Sequence, residues 1–373
     1  MVTATETTTT PPEQQYVTFH AAKGTAQRPI LTGKQMKKTF ESIPQIDFRD
    51  MHGSSVERKR LADQVGSAFK ECGFLYACNH GISEELQARV LDVMREFFAL
   101  PQEEKMKIHI NHSSEIKGYE CLLETKLDTT TRGDLKEALN FGEDPTEPEQ
   151  NCPPGFDLSY YPGNGTVPIN QWPAKPENFR SVMYQYHAAV MAFSRQLLHI
   201  IALALDVEEE YFDKLTEFPM AGLRPLYYPP QELASDIGIG AHADYSWFTV
   251  VNQLTDCPAL EVLNANGHWV GAPPLKNTLV VNVGDFLERA TNEVFVSTVH
   301  RVVNKTPGAE RYSIPLFFSP SHNAMIDVIP TCWDENRPKM SEPILAGKWQ
   351  RERLYRSRYK HPAAIAATAR GAA

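Results

Sequence analysis

The sequence lacks the features that mark several large classes of protein. Its six cysteines are scattered and include no Cys-x-x-Cys pair, so neither a zinc ribbon nor a disulfide framework is expected. No apolar run approaches the roughly 18 residues that a transmembrane helix needs. Basic residues number 37 against 46 acidic ones, and this net charge of −9 gives no indication of a nucleic-acid partner.

The beginning of the sequence also lacks a targeting signal. Its first residues, MVTATETTTTPPEQQ, contain neither a basic start nor an apolar stretch, which is not typical of a secretory peptide. Together with the unpaired cysteines, this predicts a cytoplasmic protein. We expect a monomer or homodimer that acts on a small molecule and has no nucleic-acid or membrane partner.

The 373 residues divide into five predicted parts. Residues 1–40 and 362–373 are expected to be flexible tails. Residues 41–110 are predicted to form an α/β region, and residues 111–175 a loop-rich insert near the active site. Residues 176–361 are predicted to form a long helix followed by a jelly roll.

Local signals predict helices before the β-rich half, including one capped by Ser83 and a short turn that begins at Pro101. Ser54 and Glu57 form a capping box that starts the first helix. Its apolar stripe is predicted to comprise Val56, Leu61, Val65 and Phe69. Apolar residues at helical spacing predict a long scaffold helix over Phe179–Leu205.

The second half predicts a fold that is mainly β with added helices. Short segments rich in β-branched and aromatic residues alternate with turn signals, as in a sandwich or jelly roll. The predicted strands are Leu223–Tyr228, Phe248–Leu254, Leu260–Leu263, Thr278–Val283, Val294–Val303, Arg311–Phe318 and Ala324–Ile329. Residues 343–360 should form a closing helix, on which the basic run Lys348–Lys360 is expected to be a solvated face.

His242-Ala243-Asp244 is the only His-x-acid segment in the sequence. In extended backbone its two polar side chains point to one face and can reach the same ion. His300 follows 58 residues later on another predicted strand. Two imidazoles and one carboxylate can hold ferrous iron on one face and leave the other open. Hydrolytic zinc is the alternative, although no HExxH motif is present to support it.

Arg311 and Ser313 share one face of the strand that follows His300. A buried arginine needs an anionic partner, because an unpaired buried charge is costly. That partner is either an acidic residue of the protein or the carboxylate of a bound co-substrate.

The order and spacing of these motifs resemble the isopenicillin N synthase-like branch of the iron(II)/2-oxoglutarate-dependent dioxygenases. The resemblance is carried by Tyr227-Tyr228-Pro229-Pro230, His242-Ala243-Asp244, Asn282-Val283-Gly284-Asp285, His300-Arg301-Val302 and Arg311-Tyr312-Ser313. Two further segments, Ile43–Phe48 and Gly73–Ile82, are similar to the N-terminal domain of the same family.

The resemblance implies a double-stranded β-helix in which His242, Asp244 and His300 bind iron(II). It implies that 2-oxoglutarate chelates the iron and that Arg311, Ser313 and Tyr228 bind its distal carboxylate. In the family, O2 converts 2-oxoglutarate to succinate and carbon dioxide while a substrate C–H bond is hydroxylated, desaturated or rearranged. Ascorbate can serve as a reductant, and secondary metabolism is the expected setting.

Leu226 departs from the family pattern, because many members have asparagine there to bind the keto-acid end of 2-oxoglutarate. Thymine hydroxylase-like members are similar to this chain at that position. The departure therefore changes the expected details of chelation and not the expected use of the co-substrate.

Trp247, Phe317 and Tyr119 are the candidate substrate contacts. Phe317 shares the face of Arg311 and Ser313 by the two-residue period of a strand, although strand aromatics are more often core residues. Lys136 and Glu137 lie in the insert and could also approach a substrate.

Three alternative functions stay open. The first is an oxidase or cyclase of the same fold that needs no 2-oxoglutarate, since ethylene-forming and penam-forming relatives keep the Arg-x-Ser pair. The second is a nucleobase hydroxylase. The third is an iron-binding sensor, which the complete set of ligands and co-substrate anchors disfavours.

Overall fold

The structure is a computed structural model that describes residues 14–21, 24–113, 115–126, 132–161, 169–232 and 236–369. The strands in these ranges are β1 Tyr16–Ala21, β2 Gly24–Pro29, β3 Gln45–Asp47, β4 Phe74–Cys78, β5 Gly118–Glu120, β6 Glu137–Asn140, β7 Pro219–Leu223, β8 Leu226–Tyr228, β9 Ile239–His242, β10 Phe248–Gln253, β11 Leu260–Leu263, β12 Trp269–Gly271, β13 Thr278–Val283, β14 His300–Val302, β15 Arg311–Ser321, β16 Met325–Ile326 and β17 Ile344–Leu345. The helices are α1 Ser55–Glu71, α2 Glu84–Phe98, α3 Gln102–Met106, α4 Phe179–Ala204, α5 Asp285–Ala290, α6 Ala346–Ser357 and α7 Pro362–Ala369.

Two sheets form the β part of the molecule. The larger one has the strand order β3-β4-β13-β10-β15-β8-β6-β5, and β7 pairs with β15 beside this path. The smaller one has the order β12-β11-β14-β9-β1-β2. Residues from both sheets line one cavity, as the predicted jelly roll requires.

The central strands of the larger sheet alternate between two environments. On β13, Leu279 and Val281 join the largest apolar core, while Asn282 lines the cavity. On β15, Phe318 packs in the core against Phe248, and the preceding Phe317 lines the cavity. This two-residue period separates the face that stabilises the fold from the face that carries polar side chains.

Helices α1, α2 and α4 cover the core side of the larger sheet. Helix α1 begins with the predicted capping box, since Ser54 and Glu57 bond reciprocally. Leu61, Val65 and Phe69 are buried as expected, but Val56 is 77% exposed and does not belong to the stripe. By length and composition α4 could also cross a membrane, but it packs in this core against α1 and α2.

Both predicted tails contain regular structure. Strands β1 and β2 form a hairpin, and His20 of β1 pairs with His242 of β9. The expectation of a flexible tail over residues 1–40 is therefore wrong for this hairpin, because its backbone groups are bonded to the jelly roll. Helix α7 likewise lies where residues 362–373 were expected to be flexible, and its Ala364 and Ala367 pack near Tyr355. Residues 1–13 and 370–373 lie outside the described residues.

The insert over residues 111–175 is more ordered than a loop. Strands β5 and β6 extend the larger sheet beyond β8, and Glu120 on β5 is completely buried. Sequence period is weak here because each strand is only three or four residues long. Ser114 and residues 127–131 and 162–168 of the insert lie outside the described residues.

Several predicted strands have different bounds, and for two of them the backbone contacts give the reason. The segment Leu223–Tyr228, predicted as one strand, is divided between the last residue of β7 and the whole of β8. The division occurs at Pro225, which has no N–H to donate to a neighbouring strand. Of Val294–Val303, only His300–Val302 pairs in a sheet, because the Val296 N–H bonds instead to Phe69 at the end of α1. All six cysteines are unpaired, as expected.

The capping box gives a direct test of the local structure at α1. Ser54→Ala removes the hydroxyl that accepts from the Glu57 N–H, so we expect a loss of about 1 kcal/mol in the free energy of unfolding. Urea denaturation measures this loss. Ser55→Ala, one residue further along the helix, is the matched control, and an equal loss in both variants would contradict the assignment.

Candidate metal centre and cavity

Three potential metal ligands meet where the smaller sheet borders the cavity. His242 ends β9, His300 starts β14, and the two residues face each other in an antiparallel pair. The Oδ1 atom of Asp244 lies 3.6 Å from Nε2 of His242 and 3.8 Å from Nε2 of His300. One ligand atom from each residue lies within 4.8 Å of the others, so a single ion can contact all three.

Backbone carbonyls orient both imidazoles. Nδ1 of His242 lies 2.8 Å from the Gly240 carbonyl oxygen, and Nδ1 of His300 lies 3.2 Å from that of Thr298. A carbonyl can only accept, so the proton of each neutral ring is assigned to Nδ1. Each Nε2 lone pair therefore faces the common point, as a metal ligand requires.

The Asp244 carboxylate is held by two neighbouring strands. Its Oδ2 atom accepts hydrogen bonds from the Thr249 hydroxyl at 2.6 Å and the Asn282 amide at 2.8 Å, which leaves Oδ1 for a metal. Burial opposes ionisation, but the imidazoles of His300 and His242 and the bond from Thr249 hold the pKa of Asp244 below its usual range.

Burial and the nearby His242 ring lower the pKa of His300 to about 4. The imidazole is therefore neutral near pH 7, which is the state that binds a metal ion. The edge of Phe74 approaches the same ring, with centroids 5.4 Å apart, and helps to exclude water from it.

The segment Asn282-Val283-Gly284-Asp285 supports the loop that carries Asp244 at three points. Besides the Asn282 bond, the Asp285 N–H donates to the Asp244 carbonyl at 2.7 Å. Gly284 leaves room for the backbone of the metal-site loop, since a Cβ there would lie 2.2 Å from the Ser246 carbonyl oxygen. The roles of this segment and of Thr249 were not predicted, because a buried hydroxyl has no signature in sequence.

The predicted co-substrate residues lie together on adjacent strands. Arg311 on β15 pairs with Tyr228 on β8, and its guanidinium lies 4.9 Å from the centre of the tyrosine ring. The same guanidinium donates to the Ser313 hydroxyl at 3.0 Å and to the Gln253 side-chain oxygen at 3.2 Å.

Arg311 is 1% exposed, yet within the described ranges it forms no ion pair with a carboxylate, and its Nε atom has no hydrogen-bond partner. Of the two partners considered from sequence, an acidic residue is therefore not found at this site. A buried guanidinium with hydroxyl neighbours on the wall of a cavity can instead bind the carboxylate of a small molecule.

Leu226, the position that departs from the family pattern, also lines the cavity. It pairs with Ser313 across β8 and β15. Its side chain packs in a second apolar cluster, separate from the large core under the helices. The wall beside the co-substrate residues is therefore apolar at the point where many relatives have an amide.

The predicted substrate contacts have different outcomes. Phe317 lines the cavity, and its backbone pairs with Thr249, next to the metal site. Trp247 and Tyr119 do not line the cavity, contrary to expectation. Trp247 packs against Phe212 with ring centroids 5.0 Å apart, and Tyr119 is completely buried beside Phe97, because both side chains point to the core face.

The two other residues of the insert that were considered as substrate contacts point in opposite directions. Lys136 lines the cavity, whereas Glu137 points away and forms an ion pair with Lys105 at 2.6 Å. This difference follows from the strand period, since adjacent residues point to opposite faces.

The basic run Lys348–Lys360 is not simply a solvated face. Arg353 is 4% exposed and bonds to Asp285 at 2.6 Å, and Arg358 bonds to the buried Glu120 at 2.8 Å. That expectation was wrong because the tertiary fold places one side of α6 over the cavity.

The jelly roll and the His-Asp-His cluster define the class of non-haem iron proteins, and comparisons with known proteins specify the family. Residues 220–320 match the 2OG-Fe(II) oxygenase superfamily, and residues 43–175 match the N-terminal domain described as non-haem dioxygenase in morphine synthesis. A 2-oxoglutarate-Fe(II) type oxidoreductase of Emericella nidulans is 38% identical over 85% of this chain and 89% of its own length. A homoarginine-6-hydroxylase of Oryza sativa subsp. japonica is 34% identical over 80% of this chain and 91% of its own length.

Solved structures agree with these sequence relationships. A Neurospora crassa protein crystallised with α-ketoglutarate and thymine has a TM-score of 0.73 and 27% identity, covering 85% of this chain and 98% of its own. The chain belongs to the 2OG-Fe(II) oxygenase superfamily. It is an iron(II)- and 2-oxoglutarate-dependent oxygenase that uses O2, and the predicted resemblance is confirmed.

The orientation of Asp244 can be tested by metal binding. Thr249→Val removes the hydroxyl bond to Oδ2 without changing side-chain size, and we expect the affinity for iron(II) to fall about 10- to 100-fold. Anaerobic calorimetric titration measures the change. Thr278→Val, which removes a hydroxyl bond to the Leu275 carbonyl at the far end of β13, is the control and should keep normal affinity. Equal affinities for both variants would refute this role of Thr249.

Proposed function

We propose that His242, Asp244 and His300 bind the iron of this oxygenase, and that Arg311, Ser313 and Tyr228 bind the distal carboxylate of 2-oxoglutarate. The observation that carries the proposal is the buried Arg311 guanidinium, which lines the same cavity as the three metal ligands and has no acidic partner among the described residues. The family supplies the co-substrate whose carboxylate satisfies that charge.

When bound, iron and 2-oxoglutarate supply an O2-driven oxidation that releases succinate and carbon dioxide. The side chains of this chain orient those groups and limit the access of water. Apolar residues surround the ligands on the cavity wall, namely Phe74, Leu226, Ile239 and Val302. A dry wall strengthens the electrostatic contacts of the site and protects reactive species from side reactions.

The substrate is a small molecule that occupies the part of the cavity beside Phe317. Hydroxylation is the outcome we propose first, because a relative 34% identical to this chain is a homoarginine-6-hydroxylase. The likeness to the Neurospora crassa protein crystallised with thymine keeps a nucleobase among the substrates to be assayed. Succinate formation coupled to substrate oxidation tests the proposal, and oxidation undiminished without 2-oxoglutarate would favour an oxidase or cyclase instead.

Removing a metal ligand should abolish activity. Asp244→Ala and His242→Ala each delete one of three groups that meet at the ion, so we expect no measurable succinate formation and greatly reduced iron content. Metal analysis and succinate assays on the same samples measure both effects. A variant with normal turnover and normal iron content would exclude that residue as a ligand.

Replacing Arg311 should weaken the binding of 2-oxoglutarate. Arg311→Ala removes the charged donor, and loss of a buried ion pair of about 2–4 kcal/mol corresponds to a KM for 2-oxoglutarate raised on the order of 30- to 1000-fold. Ser313→Ala, which removes one neutral hydroxyl, should raise it only about fivefold.

A second arginine provides the control for this measurement. Arg301 lies on β14 but pairs with Glu261 at 2.8 Å and does not line the cavity. Arg301→Ala should leave the KM for 2-oxoglutarate unchanged. An Arg311→Ala enzyme with the same KM as this control would show that Arg311 does not bind the co-substrate.

A further inference from the structure

The cavity carries a group of positive side chains apart from Arg311. Lys136, Arg224, Arg351 and Arg358 all line it, and we call these four residues the cationic wall. Lys136 precedes β6, and Arg224 lies between β7 and β8. Arg351 lies in α6 and Arg358 just after its end, so the larger sheet and the C-terminal helix both contribute.

Protein carboxylates neutralise only part of the cationic wall. Glu120, which is completely buried, is shared by three of its members. It accepts from the Arg224 guanidinium, from Arg358 at 2.8 Å and from Lys136 at 3.3 Å. One carboxylate cannot balance three cations, and a buried excess of charge is costly unless a further partner is present.

Asp134 adds one more negative charge close by but is already bonded. Its two oxygens accept from the Thr125 hydroxyl at 2.9 Å and from the Gly240 N–H at 3.2 Å. Within the described ranges it forms no ion pair with the cationic wall. Burial, followed by repulsion from Arg224, lowers the pKa of Lys136 to about 8, which agrees with a local excess of positive charge.

Two arginines of the wall have a side-chain N–H group without a hydrogen-bond partner. The Nε atoms of Arg224 and Arg351 are buried without a hydrogen-bond partner. Arg351 forms no ion pair with any described residue. It does interact electrostatically with Glu115, but burial raises the pKa of that carboxyl to about 7, so it is only partly charged near neutrality.

The neighbouring charged groups on this side of the cavity form hydrogen bonds with each other. The Lys117 ammonium bonds to the Glu143 carbonyl, and the Glu143 carboxylate bonds to His322 at 3.1 Å. None of them forms a salt bridge with Arg351, so Glu115 compensates its charge only in part.

The register of the larger sheet places this wall close to the metal ligands. The Arg224 N–H donates to the Pro315 carbonyl at 2.9 Å, and Pro315 pairs with Val251. Val251 lies two residues from Thr249, which holds Asp244, so the backbone of Arg224 is about 7 Å from that position along the strands and about 10 Å from it across two strand spacings. The side chains of the wall and the metal ligands line the same cavity, so one small molecule can contact both.

From this excess of charge and the two unpartnered Nε atoms, we infer that the substrate is a small carboxylic acid whose carboxylate binds Arg351 and Arg224. This inference rests on the proposed function, because it places the acid in the cavity of the same iron site. A purely structural ion-pair network would account for Arg358, which joins the end of α6 to Glu120. It does not account for Arg351, which forms no salt bridge with the described residues and interacts only with the partly charged Glu115.

Binding to the non-reacting complex tests the inference. The protein is loaded with nickel(II) and 2-oxoglutarate, and matched pairs of acid and primary amide are titrated by calorimetry. The pairs are L-homoarginine with L-homoargininamide and indole-3-acetate with indole-3-acetamide. We expect at least one acid to bind and its amide to bind much more weakly. Arg351→Gln and Arg224→Gln should each lower the binding affinity for the acid on the order of 30-fold.

Lys348→Gln is the matched control, since that lysine lies on the same helix with its side chain 66% exposed. It should bind the acid as the unaltered protein does. The inference is overturned if amides bind as tightly as acids, if no acid binds, or if both arginine variants keep full affinity for the acid.

The co-substrate is titrated first in each protein, which separates two kinds of failure. Loss of 2-oxoglutarate binding in Arg351→Gln would mean that Arg351 serves the co-substrate, and would overturn the inference. Absence of 2-oxoglutarate binding in the unaltered protein would instead count against the proposed function.

Discussion

The anchored carboxylate of Asp244 is the interaction on which the site depends. Thr249 and Asn282 occupy one of its oxygens and thereby direct the other toward two imidazoles. Those imidazoles face each other only because β9 and β14 pair in one register, and a shift of one residue would turn His300 to the opposite face. The geometry of the metal centre is thus a property of strand pairing in both sheets.

The same strands stabilise the molecule and hold its site, because their two faces have different tasks. The core face of β10, β13 and β15 packs under three helices, and close packing of this kind restricts the movement of the strands that carry the cavity face. Preorganised polar groups on a rigid scaffold lose little free energy when a ligand binds. The Arg311 guanidinium and the cationic wall have unsatisfied charge for this reason: the fold holds them in place although the protein itself neutralises the wall only in part.

Local sequence patterns predicted much of this arrangement, and the exceptions have physical causes. The capping box of Ser54, the long helix α4 and the exchange of faces between Phe317 and Phe318 follow from period and capping alone. The hairpin β1–β2 was not predicted, since its pairing with β9 is a long-range contact. Trp247 was chosen for its position directly after the metal pair, and only the tertiary structure shows that it packs in the core against Phe212.

By itself, the sequence determined the chemistry that is available, since residue types and their spacing specify two imidazoles, a carboxylate and a nearby guanidinium. Only the tertiary structure decided which charges remain unpaired. Glu120, Arg224 and Arg358 are distant in sequence, and their mutual neutralisation depends on where the insert and α6 fold against the sheet. Electrostatic balance is a sum over neighbours in space, so the character of the substrate cavity emerges only when those neighbours are known.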